Sequence, residues 1–425
     1  MAPTRVEIVN PVEVEQIPSW LRGMAATFLE DPHSQSLKNW GQALARLWDP
    51  ERAWGARDGG RWVATLRTEP RALTVPGLDD ATRTLSADAL TGVTVSATHR
   101  RRGLMSRMLD GSLRAARARG DAVSILCAAE WPIYGRFGYA PATWSAEYVL
   151  HRSRRGSTVA GEIEHVRESD REEIAQVGAG VFAAFARERA GQVGRDQRWW
   201  NISLGQDGFP HPVDDDELPH TWVVHEGPGG VDGLIGWRAT RHGQLNPPRG
   251  RVKVWGLFVA GDAAYRDLWA YLSGLDLVDE VVLPERPVDE PARWLLADGR
   301  TLVLGDRVDF LWLRLLDVEA ALTARRYATD GELVLDVHDD AAGTELDVSG
   351  RYALRADGDE VQCARTTRPP DLELSQRGLA SIYLGGLSPA ELLVSGAVAE
   401  LTAGALERAR LLFSTPRAPW NATSF

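Results

Sequence analysis

The sequence predicts an α/β (α+β) protein of several domains with mixed sheets, on three observations. Strand-like and helical patterns alternate through residues 1–153, and residues 162–310 echo that order loosely. The remainder changes texture, with short alternating strands first and helices after them. At roughly 150 residues per domain, a chain of 425 residues suggests about three. In the first part, Arg61–Leu66, Ala72–Val75 and Leu90–Val95 read as strands, and Gly103–Arg119 as a helix. Asp121–Ala129 then reads as a buried strand, followed by a short helix through Ile133 and a last strand at Ala146–Leu150. His151–Gly161 reads as a linker. Beyond it, Ser169–Arg187 and Ala263–Leu272 are helical, and Thr221–His225, Leu234–Trp237 and Arg251–Val259 are strands. The third part has a helix at Asp317–Tyr327 and strands at Glu332–Val337, Glu345–Val348 and Tyr352–Arg355. Helices at Ser375–Tyr383, Ser388–Ser395 and within Leu401–Phe413 follow, and Pro416 and Pro419 release an extended tail.

Composition narrows the function. A net charge of -11 argues against nucleic-acid binding, which needs a basic face, and is compatible with a cationic substrate. Lys38 and Lys253 are the lysines, and neither follows a glycine, so a P-loop is excluded. No apolar run approaches the ~20 residues of a membrane span, the N-terminus has no signal-peptide pattern, and two cysteines cannot build a disulfide framework. A cytoplasmic protein without a membrane span is expected. No metal motif occurs. Cys127 reads as packing, and Gly227–Gly233 as a surface turn that fails the dinucleotide fingerprint.

The most informative segment is Gly92–Ser106. A strand enters a turn of Arg100, Arg101, Arg102 and Gly103, and a helix opens immediately. The first helical amides have no intrahelical acceptor and sit at the positive end of the macrodipole, and Gly103 lets an anion approach closely. Such a terminus binds pyrophosphate. Local residues alone leave open a basic loop capping a surface helix. Val259-Ala260-Gly261-Asp262 stands at the corresponding place in residues 162–310, so that copy has lost its anion-binding turn.

Arg100-x-x-Gly103-x-Met105 resembles the Arg/Gln-x-x-Gly-x-Gly/Ala motif of GNAT acetyltransferases, with Met105 where a small residue is usual. His99–Leu104, Ile133–Tyr139 and Pro141-Ala142-Thr143 resemble the bacterial "enhanced intracellular survival" (Eis) acetyltransferases, a family that tolerates a large residue at the Met105 position. Leu311–Arg314, Ala320–Arg325 and Ser381–Gly385 resemble that family's C-terminal region. The resemblance implies tandem GNAT-like domains and a sterol-carrier-protein-like domain. These would be a catalytic domain at 1–153, a degenerate copy at 154–310, and a third domain at 311–425 whose tail reaches the active site.

It also implies acetyl-CoA as co-substrate and direct transfer of acetyl to a primary amine, whether aminoglycoside-like, polyamine or lysine-type. Val93, Thr94 and Val95 would pair with pantetheine through their backbone. Arg101, Arg102, Gly103, Leu104, Met105 and Ser106 would hold the pyrophosphate, and Ala129 and Glu130 would lie beside the acetyl end. Tyr134 would be the general acid toward the leaving thiolate, with Tyr139 the alternative. A phenol near pKa ~10 protonating a thiolate near ~8.5 is uphill by only ~2 kcal/mol. The terminal carboxylate of Phe425 would be the base. At a pKa near ~3.5 it is weak against an ammonium near ~10, so it would act through water or by holding the amine. Phe28, Glu30 and Trp40 stand where the family places substrate-facing residues, and the alternative for them is ordinary helix faces. Ser424 replaces the acid of some members, which implies weaker polyamine binding. A homo-oligomer, a hexamer by resemblance, is expected. The competing reading is a non-catalytic acyl-CoA- or lipid-binding module.

Overall fold

The computed structural model describes residues 6–77, 82–152, 161–209, 219, 221–241 and 250–425. The chain forms two compact units, one of Met1–Thr143, Phe310–Pro416 and Ser424–Phe425, the other of Trp144–Asp309 and Arg417–Thr423.

The first unit begins with strand β1 (Glu7–Val9) and helices α1 (Ile17–Thr27) and α2 (Gln35–Ala45). Helix α1 starts with Pro18 in its first turn, where the missing N–H costs nothing, and Ser34 caps α2 by accepting from the Leu37 amide at 3.2 Å. Strands β2 (Ala53–Asp58), β3 (Arg61–Pro76) and β4 (Thr82–Val95) form an antiparallel meander. Gly59 and Gly60, both at positive φ, turn β2 into β3. Helix α3 (Leu104–Ala118) buries one stripe, Leu104, Met108, Leu109, Leu113 and Ala116, and crosses over to β5 (Val123–Cys127), parallel to β4. Its Gly111 is required by packing, because a Cβ there would come within 2.5 Å of the Trp54 ring. A short helix, α4 (Trp131–Tyr134), and a two-residue strand, β6 (Ala140–Pro141), follow.

The strand expected at Ala146–Leu150 forms as β7 (Trp144–His151), but it belongs to the second unit. The chain thus changes sheet after Thr143, ahead of the expected linker. Residues 153–160 of the expected linker lie outside the described residues. The second unit adds β8 (Val166–Ser169), α5 (Arg171–Ala186), α6 (Gln197–Ser203), β9 (Thr221–Gly227), β10 (Gly230–Arg241), β11 (Gly250–Val259), α7 (Asp262–Gly274), β12 (Glu280–Arg286) and β13 (Leu302–Asp309). Its seven-stranded sheet runs β13-β7-β12-β11-β10-β9-β8, with β11 and β12 parallel. The glycine-rich segment at 227–233 is the β9–β10 hairpin, with Gly227 opposite Gly230.

The chain re-enters the first unit through β14 (Leu311–Leu315), which inserts beside β5 and completes the order β1-β2-β3-β4-β5-β14-β6. Helix α8 (Val318–Ala324) leads to a five-stranded sheet, β17-β16-β15-β18-β19, built from β15 (Gly331–His338), β16 (Gly350–Asp357), β17 (Glu360–Arg365), β18 (Leu372–Ser375) and β19 (Val398–Glu400). Helices α9 (Gln376–Ile382), α10 (Pro389–Leu393) and α11 (Ala405–Phe413) complete it. The tandem mixed sheets and this third sheet give the α+β class expected. Glu345–Val348 is not a strand. Leu346 and Val348 are buried as the alternation suggests, but the backbone hydrogen bonds go to side chains: Glu345 N to Asp110, Val348 N to Asp339, and Arg314 to Leu346 O. Among the described residues no helix is long and apolar enough to cross a membrane.

Candidate active site

The central feature of the first sheet is a gap. Strands β4 and β5 pair only from Ala87 to Ala89, although β4 runs on to Val95 and β5 to Cys127. The separation begins where β4 bulges. Gly92 adopts φ 62°, the β3–β4 register shifts between Thr65 and Arg67, and a Cβ on Gly92 would lie 3.2 Å from Trp20 and Met24 of α1. Thr65 pins the bulge: its hydroxyl donates to Gly92 O at 2.8 Å and meets the Thr94 hydroxyl at 2.6 Å. On the side facing β5, the backbone of Val93–Val95 is thus left without a strand partner among the described residues, as an extended ligand would need.

At the same end of the sheet, α3 opens. Gly103 is its N-cap at φ 70°, no side chain caps it, and the first intrahelical bond found there is Arg107 N to Gly103 O. The amides of Leu104, Met105 and Ser106 therefore have no intrahelical acceptor. A Cβ on Gly103 would meet no atom within 4 Å, so the approach is open. Arg101 also lies at positive φ, 61°, and Arg101 and Arg102 are exposed beside the terminus. Half-buried Val93, Val95 and Met105 pack on the cluster that contains Leu104, Leu126 and Tyr134.

Tyr134 ends α4 at 8% exposure, and its hydroxyl has no hydrogen-bond partner among the described residues. Burial, with the nearby Glu130 carboxylate, pushes this phenol up to about 12. It therefore stays protonated at neutral pH. Tyr139, the alternative acid, has its hydroxyl engaged within the core. It is fully buried, its hydroxyl lies 2.6 Å from Ser124 Oγ, and Ser124 in turn donates to Asp88 O. Arg136 links this segment to the helix terminus, donating to Met105 Sδ at 3.6 Å. Ala129 and Glu130 are exposed just beyond β5.

The segment is held by a residue that sequence reasoning passed over as a motif letter. Arg314 of β14 is fully buried, pairs with Asp339 at 2.8 Å, and donates to Phe137 O and Leu346 O. Gly138, at φ 80°, is the position over which its guanidinium lies, and any Cβ there would overlap Arg314.

Phe28, at the end of α1, continues the row Trp20–Met24 that touches the β4 bulge, one turn on, and is 46% exposed. Glu30 is exposed on the same turn, beside Leu29 at φ 65°. Trp40 differs: it packs on the cluster under α1 and α2 and is only half-buried there. Phe425 is half-buried and belongs, with Ser424, to the first unit.

An acetyltransferase (GNAT) domain model matches residues 9–142, a second acetyltransferase (GNAT) model matches 191–315, and a sterol carrier protein domain model matches 318–422. An uncharacterized N-acetyltransferase of Streptomyces griseus is 39% identical over 88% of this chain and 89% of its own length. The N-acetyltransferase Eis of Mycobacterium tuberculosis is 30% identical over 78% of each chain. The chain belongs to the Eis family of GNAT N-acetyltransferases. The crystal structure of Eis1 from Mycobacterium abscessus agrees in fold, with a TM-score of 0.80, 27% identity, and coverage of 99% of this chain and 100% of that one. Membership makes the protein an acetyltransferase, and the GNAT fold implies an acyl-CoA co-substrate.

Proposed function

We propose that the protein transfers acetyl from acetyl-CoA directly to a primary amine. The observation that carries this reading is that one core cluster gathers the Val93–Val95 edge, which has no strand partner on one side among the described residues, the open N-terminus of α3 and the buried Tyr134 phenol. The Val93–Val95 backbone would pair with the pantetheine amides, and one of its N–H groups would donate to the thioester oxygen, on which charge develops during attack. The amides of Leu104, Met105 and Ser106, with Arg101 and Arg102, would hold the pyrophosphate. Tyr134 would give its proton to the departing sulfur as the C–S bond breaks, and the terminal carboxylate of Phe425 would hold the incoming amine and accept its proton through water.

Phe28 and Glu30 would face the acceptor, one with a ring and one with a charge, which suits aminoglycoside-like, polyamine or lysine-type amines. Trp40 would act from behind, by supporting the α1–α2 turn. The domains would divide the work as catalytic (1–153), degenerate (154–310) and sterol-carrier-like (311–425), the protein acting as a cytoplasmic homo-oligomer, hexameric as the family resemblance implies.

Thiol release from acetyl-CoA with a panel of amines tests this, comparing wild type, Tyr134→Phe and a chain lacking Phe425. Both changes are expected to lower kcat with little change in KM for acetyl-CoA. Undiminished turnover in both would overturn the mechanism. No turnover with any amine, alongside lipid binding, would favour the non-catalytic module.

A further inference from the structure

The second GNAT unit keeps the architecture of the first and fills it differently. Strands β11 and β12 pair in parallel only from Arg251 to Lys253, although β11 continues to Val259 and β12 to Arg286, so the same kind of gap opens. Arg286 reaches across it, donating to Leu257 O at 3.0 Å, and Glu290 holds Arg286 at 2.7 Å. The helix that follows β11 begins at Gly261, whose amide donates to the Glu188 carboxylate at 2.8 Å, and Asp262 occupies its first position. A carboxylate of the chain itself thus sits where a pyrophosphate would.

The C-terminal segment is bound against this arrangement. Trp420 packs its ring 5.7 Å from Phe185 and under the Arg286 guanidinium at 5.0 Å. Ala418 N donates to Asp289 at 2.9 Å, and Ala418 O accepts from Arg189 at 2.6 Å. Trp420 N donates to Ala190 O, and Gln192 returns a bond to Trp420 O at 2.7 Å. Asn421 Oδ1 accepts from Val193 N, and Ala422 N donates to Gln192 Oε1. The Thr423 hydroxyl donates to Val193 O at 2.8 Å and accepts from Arg195 Nε at 3.0 Å, while Arg195 also donates to Ala422 O. Asn421 and Thr423 are completely buried. A chain end ordinarily frays, and here the backbone N–H and C=O of Trp420, Ala422 and Thr423 all have partners.

We propose that the second GNAT unit has exchanged cofactor binding for binding the chain's own C-terminal segment, and that Arg195, Gln192 and Thr423 are positioning residues for the acyl transfer. Arg195 is suited to the task because its planar head is fixed over the rings of Phe182, Trp199, Trp255 and Phe258. Two residues separate Thr423 from the terminus, a reach of at most about 7 Å, so fixing Thr423 confines the Phe425 carboxylate to a small volume. The consequence for catalysis rests on the reading that this carboxylate serves the amine. The docking does not.

The test uses the full-length enzyme with Thr423→Val, which keeps the side-chain shape and removes its two hydroxyl bonds, and Arg195→Met. The rate at which carboxypeptidase releases residues from the folded chain should rise about tenfold in each, as loss of buried hydrogen bonds loosens the segment. In the same proteins kcat should fall by a similar factor, with KM for acetyl-CoA unchanged. Thr423→Val should melt only a few degrees below the wild type, so that it is folded where kcat is read, which separates positioning from folding. Unchanged carboxypeptidase protection in both variants would overturn the inference. If both variants lose protection while deletion of Phe425 leaves kcat intact, the docking stands and the carboxylate's part in transfer fails.

Discussion

Tyr134 and Tyr139 lie five positions apart in one glycine-rich run, yet their surroundings differ. Tyr139 spends its hydroxyl on Ser124 inside the sheet, whereas the Tyr134 hydroxyl, 8% exposed at the end of α4, has no hydrogen-bond partner among the described residues. Replacing Tyr134 by Phe should lower kcat by roughly 10²–10⁴, the usual worth of a positioned acid. Thiol release under saturating acetyl-CoA measures it. The pH profile supplies an independent check. Because burial pushes Tyr134 up to about 12, its proton remains in place across the range in which acceptor amines lose theirs. The rate should therefore climb with pH and show no fall near the ordinary tyrosine pKa of about 10. A fall there that vanishes in Tyr134→Phe would show that Tyr134 titrates normally. Arg314 makes the stability prediction at this scale. Removing it leaves the buried Asp339 carboxylate with backbone N–H donors but without its cation, so Arg314→Ala should cost about 3–5 kcal/mol in denaturant unfolding. The sequence displayed Tyr134 through its motif. It could not display Arg314 as a clamp, because Phe137, Leu346 and Asp339, the residues it gathers, are distant from it in sequence.

Among the elements, α3 was the most legible, since its apolar stripe and its Gly103 start are local features that any 15-residue window contains. The β4 bulge was not. It depends on Thr65, which lies 27 residues from Gly92, and on two side chains of α1. Thr65→Val should relax it, since the hydroxyl fixing the Gly92 carbonyl disappears while the volume is kept. A loss of about 1 kcal/mol in stability is expected, with a rise of roughly fivefold in KM for acetyl-CoA as the strand edge loses its alignment. Kinetics with varied acetyl-CoA measure the second effect. An unchanged KM would mean that Val93–Val95 hold their line without Thr65. The segment at 345–348 misled for a related reason. Its alternation reports burial correctly, but burial on one side does not say whether strands or side chains satisfy the backbone, and here Asp110, Asp339 and Arg314 do so.

For the whole molecule, the duplication was legible as an echo of strand and helix order, and the loss of the Arg/Gly turn at 259–262 was readable directly. Which strand completes which sheet was not, because β7 and β14 are both apolar strands and only pairing distinguishes them. The two GNAT units nevertheless differ at one decisive spot, and this fixes how many molecules of acyl-CoA a chain should take. At α3 the terminus is open, Gly103 faces empty space, and arginines stand beside it. At α7 the Gly261 amide already donates to Glu188, and Asp262 adds a second negative charge, so a pyrophosphate there would meet like charge and have to displace an internal acceptor. Calorimetric titration with acetyl-CoA should therefore give one molecule per chain. Gly103→Val, which strains the left-handed N-cap and puts a side chain into the approach, should weaken that single event at least tenfold. Glu188→Gln should leave both stoichiometry and affinity unaltered, because neutralising one carboxylate restores neither an arginine nor an open terminus. Two equivalents per chain in the wild type would mean that the second unit still binds the co-substrate, and the difference between α3 and α7 would then have no bearing on binding.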